Sequence, residues 1–431
     1  MSAVGPPKVS EPAVSAKVET TSSRLTPPGP IGYLVPEFPG QTNIWIWREI
    51  VHLREWGVDI RLFSTRPPDS ESAARHAFAE GARNETTYLW PRPLGSILGS
   101  VAWAVFTRPR RLMRAAAIPL AFRGMSLRDR LTTIPLIGAA CIFARDALAQ
   151  GIRHVHLHSA GRSAVVAMMT RRLAGIPYSI TLNADIEGWG GGMGSKFGDA
   201  EFTVGITERL CSQVRRDYPG LRPSQLLLGR IGVDTRRWEP GEPHTVGENF
   251  ELVTVARLNV AKGHDVTMRA LARVRGSGRN VRLSIVGAGP EQSALEDLRT
   301  RLELDDVVHL AGSLSEDDVI RRLRSADAFV LASRSEPLGV AYMEAMALGL
   351  PTIGTDAGGV GEIITDGHDG LLVPPEDSDR LAAAIMRLQE DSELRKKLGR
   401  NARRTIVERF DSRIGATTLY ERIFGVSPPD E

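Results

Sequence analysis

The feature that most constrains the fold is a recurring order of short apolar runs, polar glycine loops and helical stretches. The order is most complete in the C-terminal third of the chain. The apolar run 328–332 predicts a buried parallel strand, and good helix formers continue from Pro337 to Ala347. A second strand at 351–354 then leads into a glycine loop at 358–361. This order predicts an α/β fold with a parallel sheet and right-handed crossovers.

Two strand–loop–helix turns therefore lie side by side, and each leaves backbone N–H groups at a helix N-terminus, where phosphate binds. Glu336 lies in the first predicted helical turn, and Glu344 follows eight residues later. Carboxylates repel phosphate but accept hydrogen bonds from paired hydroxyls, so the pair predicts contact with a sugar or a ribose. Alternatively, Glu336 favours a helix N-terminus electrostatically and Glu344 is a solvated helix residue.

The whole block resembles the E-x7-E signature of retaining glycosyltransferases of the GT-B fold, family 4 (glycosyltransferase group 1). Several residues around the two glutamates also match this signature: Gly339, Ala345, Gly349, Pro351, Gly358, Gly359, Gly370 and Leu371. The resemblance covers residues 31–425 and is strongest in the C-terminal half. It implies two Rossmann-like domains facing across a cleft, with a C-terminal helix that crosses back to the first domain. The N-terminal half looks most like enzymes that build exopolysaccharide or lipid-linked oligosaccharide.

The length of 431 residues also predicts two domains. Residues 1–29 are rich in Pro, Ser, Thr and Val and predict a disordered tail. We place an N-terminal Rossmann-like acceptor domain at 30–235 and a C-terminal Rossmann-like nucleotide-sugar donor domain at 236–410. Residues 411–431 complete the chain as the crossover helix and tail.

The loop that follows the first strand of each domain holds candidate cleft residues. In the first domain, Gly40 permits close approach, and Gln41 and Thr42 supply donors at the helix start. The resemblance implies that this loop lines the cleft, although a plain N-cap turn also explains Thr42. In the second domain, Arg257 and Lys262 flank a helix start and suit a diphosphate. The resemblance implies that this pair binds the donor's diphosphate without a metal or other cofactor.

Other donor contacts are implied by the resemblance alone. Glu344 would bind the ribose hydroxyls. Glu336, with the backbone N–H groups of Leu338, Gly339 and Val340, would bind the sugar hydroxyls. Gly287 lies in a glycine turn after a strand, and Gly312 ends the strand that meets the nucleobase in the family. The turn at Gly287 lacks the third glycine of a dinucleotide fingerprint, which disfavours a dehydrogenase.

Polar residues of the first domain form a second set of candidates. His154, His156 and His158 alternate along a strand and share one face. No acidic or cysteine partner is near them in the sequence, so we predict no metal site. The resemblance implies that His158 faces the cleft. It also shows that Asn183 stands where family members usually have a histidine near the donor sugar, and Asp185 is the candidate to compensate.

The composition limits the cellular location and the binding partners that the protein can have. The net charge of +3 and the absence of an arginine run interleaved with aromatic residues argue against nucleic acid. Two separated cysteines predict a reducing cytoplasm, and the N-terminus lacks an apolar signal core. Residues 94–130 pair an apolar helical pattern with clustered arginines. That combination predicts peripheral contact with the inner face of the cytoplasmic membrane, or else a core helix with a solvated arginine face.

Together these features predict a hexosyltransferase that uses a UDP- or GDP-sugar and a glycan or polyprenyl-linked acceptor. Two alternatives stay open: a nucleotide-sugar epimerase on the same fold, and a non-catalytic donor-binding partner, which Asn183 suggests.

Overall fold

The computed structural model describes residues 29–40, 44–68, 78–122, 125–242 and 247–429. The described chain forms two sheets in which every strand pair is parallel. The first sheet has the order β3-β2-β1-β4-β5-β6-β7 and the second β10-β9-β8-β11-β12-β13. The first comprises β1 (Ile31–Glu37), β2 (Ile60–Arg66), β3 (Thr87–Tyr88), β4 (His154–Leu157), β5 (Tyr178–Leu182), β6 (Phe202–Gly205) and β7 (Leu226–Leu228). The second comprises β8 (Phe250–Val255), β9 (Val281–Val286), β10 (Val308–Gly312), β11 (Ala328–Leu331), β12 (Thr352–Thr355) and β13 (Leu371–Val373).

Helices connect these strands and cover both sheets. Those among the first seven strands are α1 (Ile44–Glu55), α2 (Ala79–Glu85), α3 (Leu94–Thr107), α4 (Pro109–Ala116), α5 (Leu127–Thr133), α6 (Leu136–Ala149), α7 (Arg162–Ala174), α8 (Met193–Asp199) and α9 (Glu208–Asp217). Those that follow are α10 (His264–Gly276), α11 (Gln292–Arg301), α12 (Glu316–Arg324), α13 (Val340–Ala347), α14 (Val360–Ile363), α15 (Ser378–Glu390), α16 (Ser392–Arg409) and α17 (Ser412–Phe424). The predicted α/β class is confirmed.

Each sheet reverses its strand order at one place, between β1 and β4 in the first and between β8 and β11 in the second. In open parallel sheets the crevice at the carboxyl ends of such a pair is where ligands bind. The residues of β11 are buried along their whole length, as a central parallel strand requires. The loops that leave β1, β4, β8 and β11 are therefore the ones that the fold offers to a ligand.

The last helix returns to the first domain, as predicted. His52 Nε2 in α1 lies 2.8 Å from the Ser412 hydroxyl oxygen at the start of α17. Further along, the rings of Trp56 and Tyr420 meet edge to face with centroids 5.6 Å apart. These buried contacts tie the C-terminal segment to α1 and confirm the crossover.

The helix expected to begin near Pro337 starts three residues later. α13 runs from Val340, and its N-cap Gly339 has φ +104°, in the left-handed region. A residue with that backbone cannot lie within a right-handed helix, so Glu336 belongs to the preceding loop. A Cβ added at Gly339 would lie 2.6 Å from the Tyr342 ring. The prediction that Glu336 occupies the first helical turn was wrong, because good helix formers nearby masked this glycine break.

One described stretch, Arg128–Ala149, is long and apolar enough to cross a membrane by length and composition. It consists of two helices, α5 and α6, rather than one continuous helix. α6 contributes fully buried residues to the core of the first domain, among them Cys141 and Phe143. We therefore interpret α6 as a core helix.

Candidate active site between the two domains

A cavity of about 450 Å³ lies between the two domains at the carboxyl ends of β8 and β11. Nine of the predicted site residues line it: Asn183, Arg257, Lys262, Gly287, Glu336, Leu338, Gly339, Val340 and Glu344. The first domain adds Ile44, Trp45, Arg48, Ile206 and Ile231, none of which was predicted. The loops of the second domain thus converge on one space with part of the first.

The two predicted groups Lys262 and Glu336 form an ion pair with each other across this cavity. Glu336 is 7% exposed, so its carboxylate is largely withdrawn from water. The loops that carry the pair are in direct contact, because a Cβ on Gly263 would lie 1.9 Å from the Ala332 carbonyl oxygen. Each of the two charged groups therefore neutralises the other.

Arg334 also links the loop of Lys262 to the loop of Glu336. Its guanidinium donates to both carboxylate oxygens of Asp265, at 2.8 and 2.9 Å, and to the Val260 carbonyl at 2.7 Å. Burial alone would raise the pKa of Asp265, but hydrogen bonds from Arg334 and Arg269 outweigh it and lower that pKa to about 2. Asp265 is therefore ionised at neutral pH, and the bidentate pair fixes the Lys262 loop against the Glu336 loop.

The start of α13 presents backbone donors to the cavity. The first helical hydrogen bond runs from Tyr342 N to Gly339 O at 3.1 Å, so the N–H groups of Leu338, Gly339 and Val340 precede the helical ladder. Tyr342 anchors this end of α13 by donating its hydroxyl to the Leu331 carbonyl at 2.7 Å. The result is a fixed row of donors suited to oxygen atoms of a ligand.

A buried histidine supports the Arg257 loop. His264 Nε2 lies 3.1 Å from the Arg257 carbonyl oxygen, which can only accept a hydrogen bond. Burial lowers the pKa of His264 to about 4, so the ring is neutral at pH 7 and donates from Nε2. The Arg257 backbone is thereby held, while its side chain is exposed at the edge of the cavity.

Glu344 has a partner that the sequence analysis missed. Arg48 of α1 donates from Nη2 to Glu344 Oε1 at 2.9 Å and lies 3.4 Å from Glu316 Oε1. Arg48 is 7% exposed and lies 5.8 Å from the Trp238 ring centroid. A sequence signal existed, because Arg48 shares the buried face of α1 with Trp45 and His52 at helical spacing.

Asn183 lies directly after β5 and lines the cavity. Its Oδ1 is buried and has no hydrogen-bond partner among the described residues. Asp185, two residues on, does not line the cavity. It pairs with Arg209 instead, and its side chain is 42% exposed. The structure therefore does not place Asp185 where it could compensate for the missing histidine.

His158 does not face the cleft as expected. Its side chain is fully buried, with Nε2 2.9 Å from Glu49 Oε1 and its ring packed against Trp45. Trp45 lines the cavity in its place. The strand end points inward at this position because α1 covers it.

The three histidines do have an acidic neighbour in space. Potential ligand atoms of Glu49, His156 and His158 lie within 4.8 Å of one another. Both ring nitrogens of His156 are already bonded, to Ser179 Oγ at 2.7 Å and Thr181 Oγ1 at 3.0 Å. Burial lowers the pKa of His156 well below its usual value. We interpret the group as a hydrogen-bonded core network, and the absence of a metal stays a prediction.

Two further predicted residues lie outside the cavity lining. Gly312 accepts a hydrogen bond from Gly287 N at 2.8 Å but does not line the cavity, whereas its neighbours Ser313 and Leu314 do. Gly40 is buried and also outside the lining. Gln41 and Thr42 fall outside the described residues.

Comparison with known proteins agrees with this architecture. Residues 237–405 match the family "Glycosyl transferases group 1". Over 172 residues the chain is 34% identical to a putative colanic acid biosynthesis glycosyltransferase, WcaL, of Salmonella typhimurium. That match covers 38% of this chain and 42% of the relative, so the chain spans less than half the length of this relative. The amylovoran biosynthesis glycosyltransferase AmsK of Erwinia amylovora is 24% identical over 83% of this chain and 90% of its own.

Among solved structures, Anabaena HepE in complex with UDP superimposes with a TM-score of 0.69. The sequences are 17% identical, and the match covers 92% of this chain and 100% of that one. The two-domain arrangement with its crossover helix is thus the GT-B fold of known glycosyltransferases. The residues that match the glycosyl transferases group 1 family include Arg257, Lys262, Glu336 and Glu344.

Proposed function

We propose that this protein is a retaining glycosyltransferase that moves a hexose from a nucleotide-diphosphate sugar, UDP- or GDP-linked, to a glycan or lipid-linked acceptor. One observation carries the proposal. Two cations, two carboxylates and the uncommitted N–H groups at the start of α13 converge on a single cavity between the domains. That set matches the parts of a sugar nucleotide: diphosphate, ribose and hexose.

Each part of the donor has a suitable group in the cavity. Arg257 and Lys262 suit the diphosphate, because cations at a helix start neutralise charge that develops as the leaving group departs. Glu344 suits the ribose hydroxyls. Glu336 and the N–H groups at Leu338 to Val340 suit the hydroxyls of the sugar. Binding of the diphosphate would draw Lys262 from Glu336, which frees that carboxylate for the sugar.

The proposed chemistry needs no further base. The bond from the anomeric carbon to the diphosphate oxygen breaks, and a bond from that carbon to the acceptor hydroxyl oxygen forms on the same face. The departing phosphate oxygen takes the acceptor's proton, which lets a neutral residue, Asn183, stand beside the reacting carbon. The protein then acts by positioning and by electrostatic stabilisation, without a metal.

Comparisons support the donor class and the setting of the reaction. Anabaena HepE has been solved with UDP-glucose, and two relatives are named for colanic acid and amylovoran biosynthesis. We propose the corresponding role here: exopolysaccharide or cell-surface glycan synthesis on the cytoplasmic side of the membrane.

Transfer can be tested directly. Purified protein would be incubated with UDP- and GDP-hexoses and a lipid extract, with EDTA and separately with magnesium. We expect a glycosylated lipid, free nucleotide diphosphate and the same rate in both conditions, with the anomeric configuration retained by NMR. Release of nucleotide with a changed free sugar and no acceptor product would favour the epimerase. Donor binding without any turnover would favour the non-catalytic partner.

A surface on the first domain supports a membrane-associated acceptor. Of the thirteen large apolar residues that are exposed in the described part of the chain, nine lie between Trp90 and Ile134. Residues 86–145 hold nine arginines and one acid, Asp129, in a chain whose net charge is +3. Exposed apolar side chains beside an excess of arginines suit an anionic bilayer surface.

Vesicle sedimentation tests this contact. We expect binding to vesicles with phosphatidylglycerol and little binding to phosphatidylcholine alone. The variant Leu98→Glu/Phe106→Glu, at two exposed positions on α3, should lose most of the bound fraction. Val407→Glu, at an exposed apolar position of the second domain, should retain it. Equal binding by both variants would contradict the contact.

A further inference from the structure

Arg48 is a cation of the first domain placed between two carboxylates of the second. Its Nη2 is 2.9 Å from Glu344 Oε1 and 3.4 Å from Glu316 Oε1. Glu316 is held in turn by Arg237, whose Nε lies 3.3 Å from the other oxygen, Oε2. Each carboxylate oxygen of Glu316 is thus paired with an arginine, and Glu316 helps to hold Arg48 in place.

The placement is energetically demanding. The guanidinium is buried, and its Nη1 has no hydrogen-bond partner among the described residues. A buried donor left without an acceptor loses its hydration and gains nothing in return. Stacking on Trp238 stabilises the flat guanidinium without using that donor. Stability alone is therefore a weak explanation for an arginine at this position.

The hydrogen bond from Arg48 falls on one oxygen of Glu344, Oε1. A carboxylate can accept several hydrogen bonds at once. Arg48 can therefore orient the carboxylate that the ribose hydroxyls would bind. Arg48 itself lines the cavity.

We propose that Arg48 is a positioning residue of the donor site: it orients Glu344 for the ribose and couples ribose binding to closure of the two domains. The inference rests on the proposed function of Glu344. If the domains separate, Arg48 leaves with α1 and Glu344 loses its guanidinium partner. Ribose binding therefore favours the closed arrangement, and closure strengthens ribose binding by the same factor.

Calorimetry with paired nucleotides separates this role from a merely structural one. UDP and GDP, each with its 2′-deoxy form, would be titrated into wild type and Arg48→Gln. In wild type we expect the 2′-deoxy nucleotide to bind about tenfold or more weakly than the ribonucleotide, because the 2′-hydroxyl donates to a charged group. We call this ratio the deoxy penalty. In Arg48→Gln we expect UDP or GDP to bind about tenfold more weakly than in wild type, and the deoxy penalty to fall below about threefold.

Two further variants complete the design. Arg54→Gln lies on the same helix and loses a pair with Glu85, a hydrogen bond to the Ile60 carbonyl and a contact with the Trp47 ring. None of these partners lines the cavity, so both affinities should match wild type. Arg48→Lys keeps the charge but not the planar fork and should show an intermediate deoxy penalty. This variant carries the test if Arg48→Gln does not fold.

The outcomes are distinct. Wild-type protein that binds neither UDP nor GDP contradicts the proposed function, and this inference with it. If wild type binds but the Arg48 variants keep the full deoxy penalty, the donor site stands and the role of Arg48 is overturned. Tighter binding by Arg48→Gln would also overturn it, because Arg48 would then compete with the ligand.

Discussion

The two walls of the cleft differ in chemistry. The wall from the second domain carries five charged side chains: Arg257, Lys262, Glu316, Glu336 and Glu344. The wall from the first domain is mostly apolar, with Ile44, Trp45, Ile206 and Ile231, and Asn183 and Arg48 are its polar members. A charged wall suits a sugar nucleotide, whose groups are the same for many enzymes. An apolar wall would suit the acceptor of the transfer proposed above.

The largest expected effect falls on the charged wall. Lys262→Ala removes a cation from the proposed leaving-group site, and we expect glycosyl transfer to fall by about 10²–10³-fold. Arg209→Ala is the matched control, because Arg209 pairs with Asp185 outside the cavity. Transfer rates with saturating donor would decide. Similar losses in both variants would mean that the loss in Lys262→Ala is not specific to the cavity, which would contradict the role of the charged wall.

Acid stability should instead show the two domains behaving alike, because each buries a neutral histidine. For His264 the folded pKa of about 4 lies below the ordinary value of 6.5. Neutral His264 therefore contributes fully to the free energy of unfolding above pH 6.5. That contribution is lost as the pH falls through 6.5 towards 4. At pH 5 this amounts to about 2 kcal/mol.

Denaturant unfolding at pH 7.5 and pH 5 measures this loss. His264→Gln should lose less stability on acidification than wild type, by about that amount. His156, whose pKa is also lowered by burial, remains in both proteins and continues to contribute. An identical pH dependence for wild type and His264→Gln would contradict the assignment.

Substitutions at Asn183 test whether the first-domain wall contributes a polar contact to the reaction. Removing its amide in Asn183→Ala should slow transfer by about tenfold, the size of one hydrogen bond made in the transition state. Binding of UDP or GDP should not change, because that contact lies on the opposite wall. Asn183→His should keep the wild-type rate within about threefold. Wild-type turnover by the alanine variant would remove Asn183 from the site.

The smallest effect concerns a contact that joins the walls outside the cavity. The Glu362 carboxylate accepts from the backbone N–H groups of Glu208 and Arg209, both at 2.8 Å, and so caps α9 of the other domain. Glu362→Gln should cost about 1 kcal/mol of unfolding free energy, the usual value of a helix cap. Glu408→Gln, at an exposed position of α16, should cost nothing measurable.

The same contrast explains what could be predicted from sequence. Arg257, Lys262, Glu336 and Glu344 lie within short motifs that could be named from the sequence, and the resemblance to a known family implied that the two motifs face one ligand. Even there one local feature was missed: Gly339 delays the start of α13 and leaves Glu336 on a loop. Helix-forming residues on both sides concealed that break.

The first-domain contributions depend on contacts between distant segments. Arg48 and Glu344 are separated by 296 positions, and no local pattern reports such a pair. His158 was expected in the cleft because it ends a strand, but α1 covers that strand end and presents Trp45 instead. Periodicity predicts which face of an element is buried, but not which neighbour covers it.

The most direct test of the proposed donor site is calorimetry of wild type and Glu344→Ala against UDP- and GDP-sugars, with EDTA and then with magnesium. We expect wild type to bind one of the two donor classes in the micromolar range, about 8 kcal/mol, equally in both conditions. Glu344→Ala should bind it at least about tenfold more weakly. Binding that is equal in the two proteins, or absent from both, would contradict the assignment of this cavity to a sugar nucleotide.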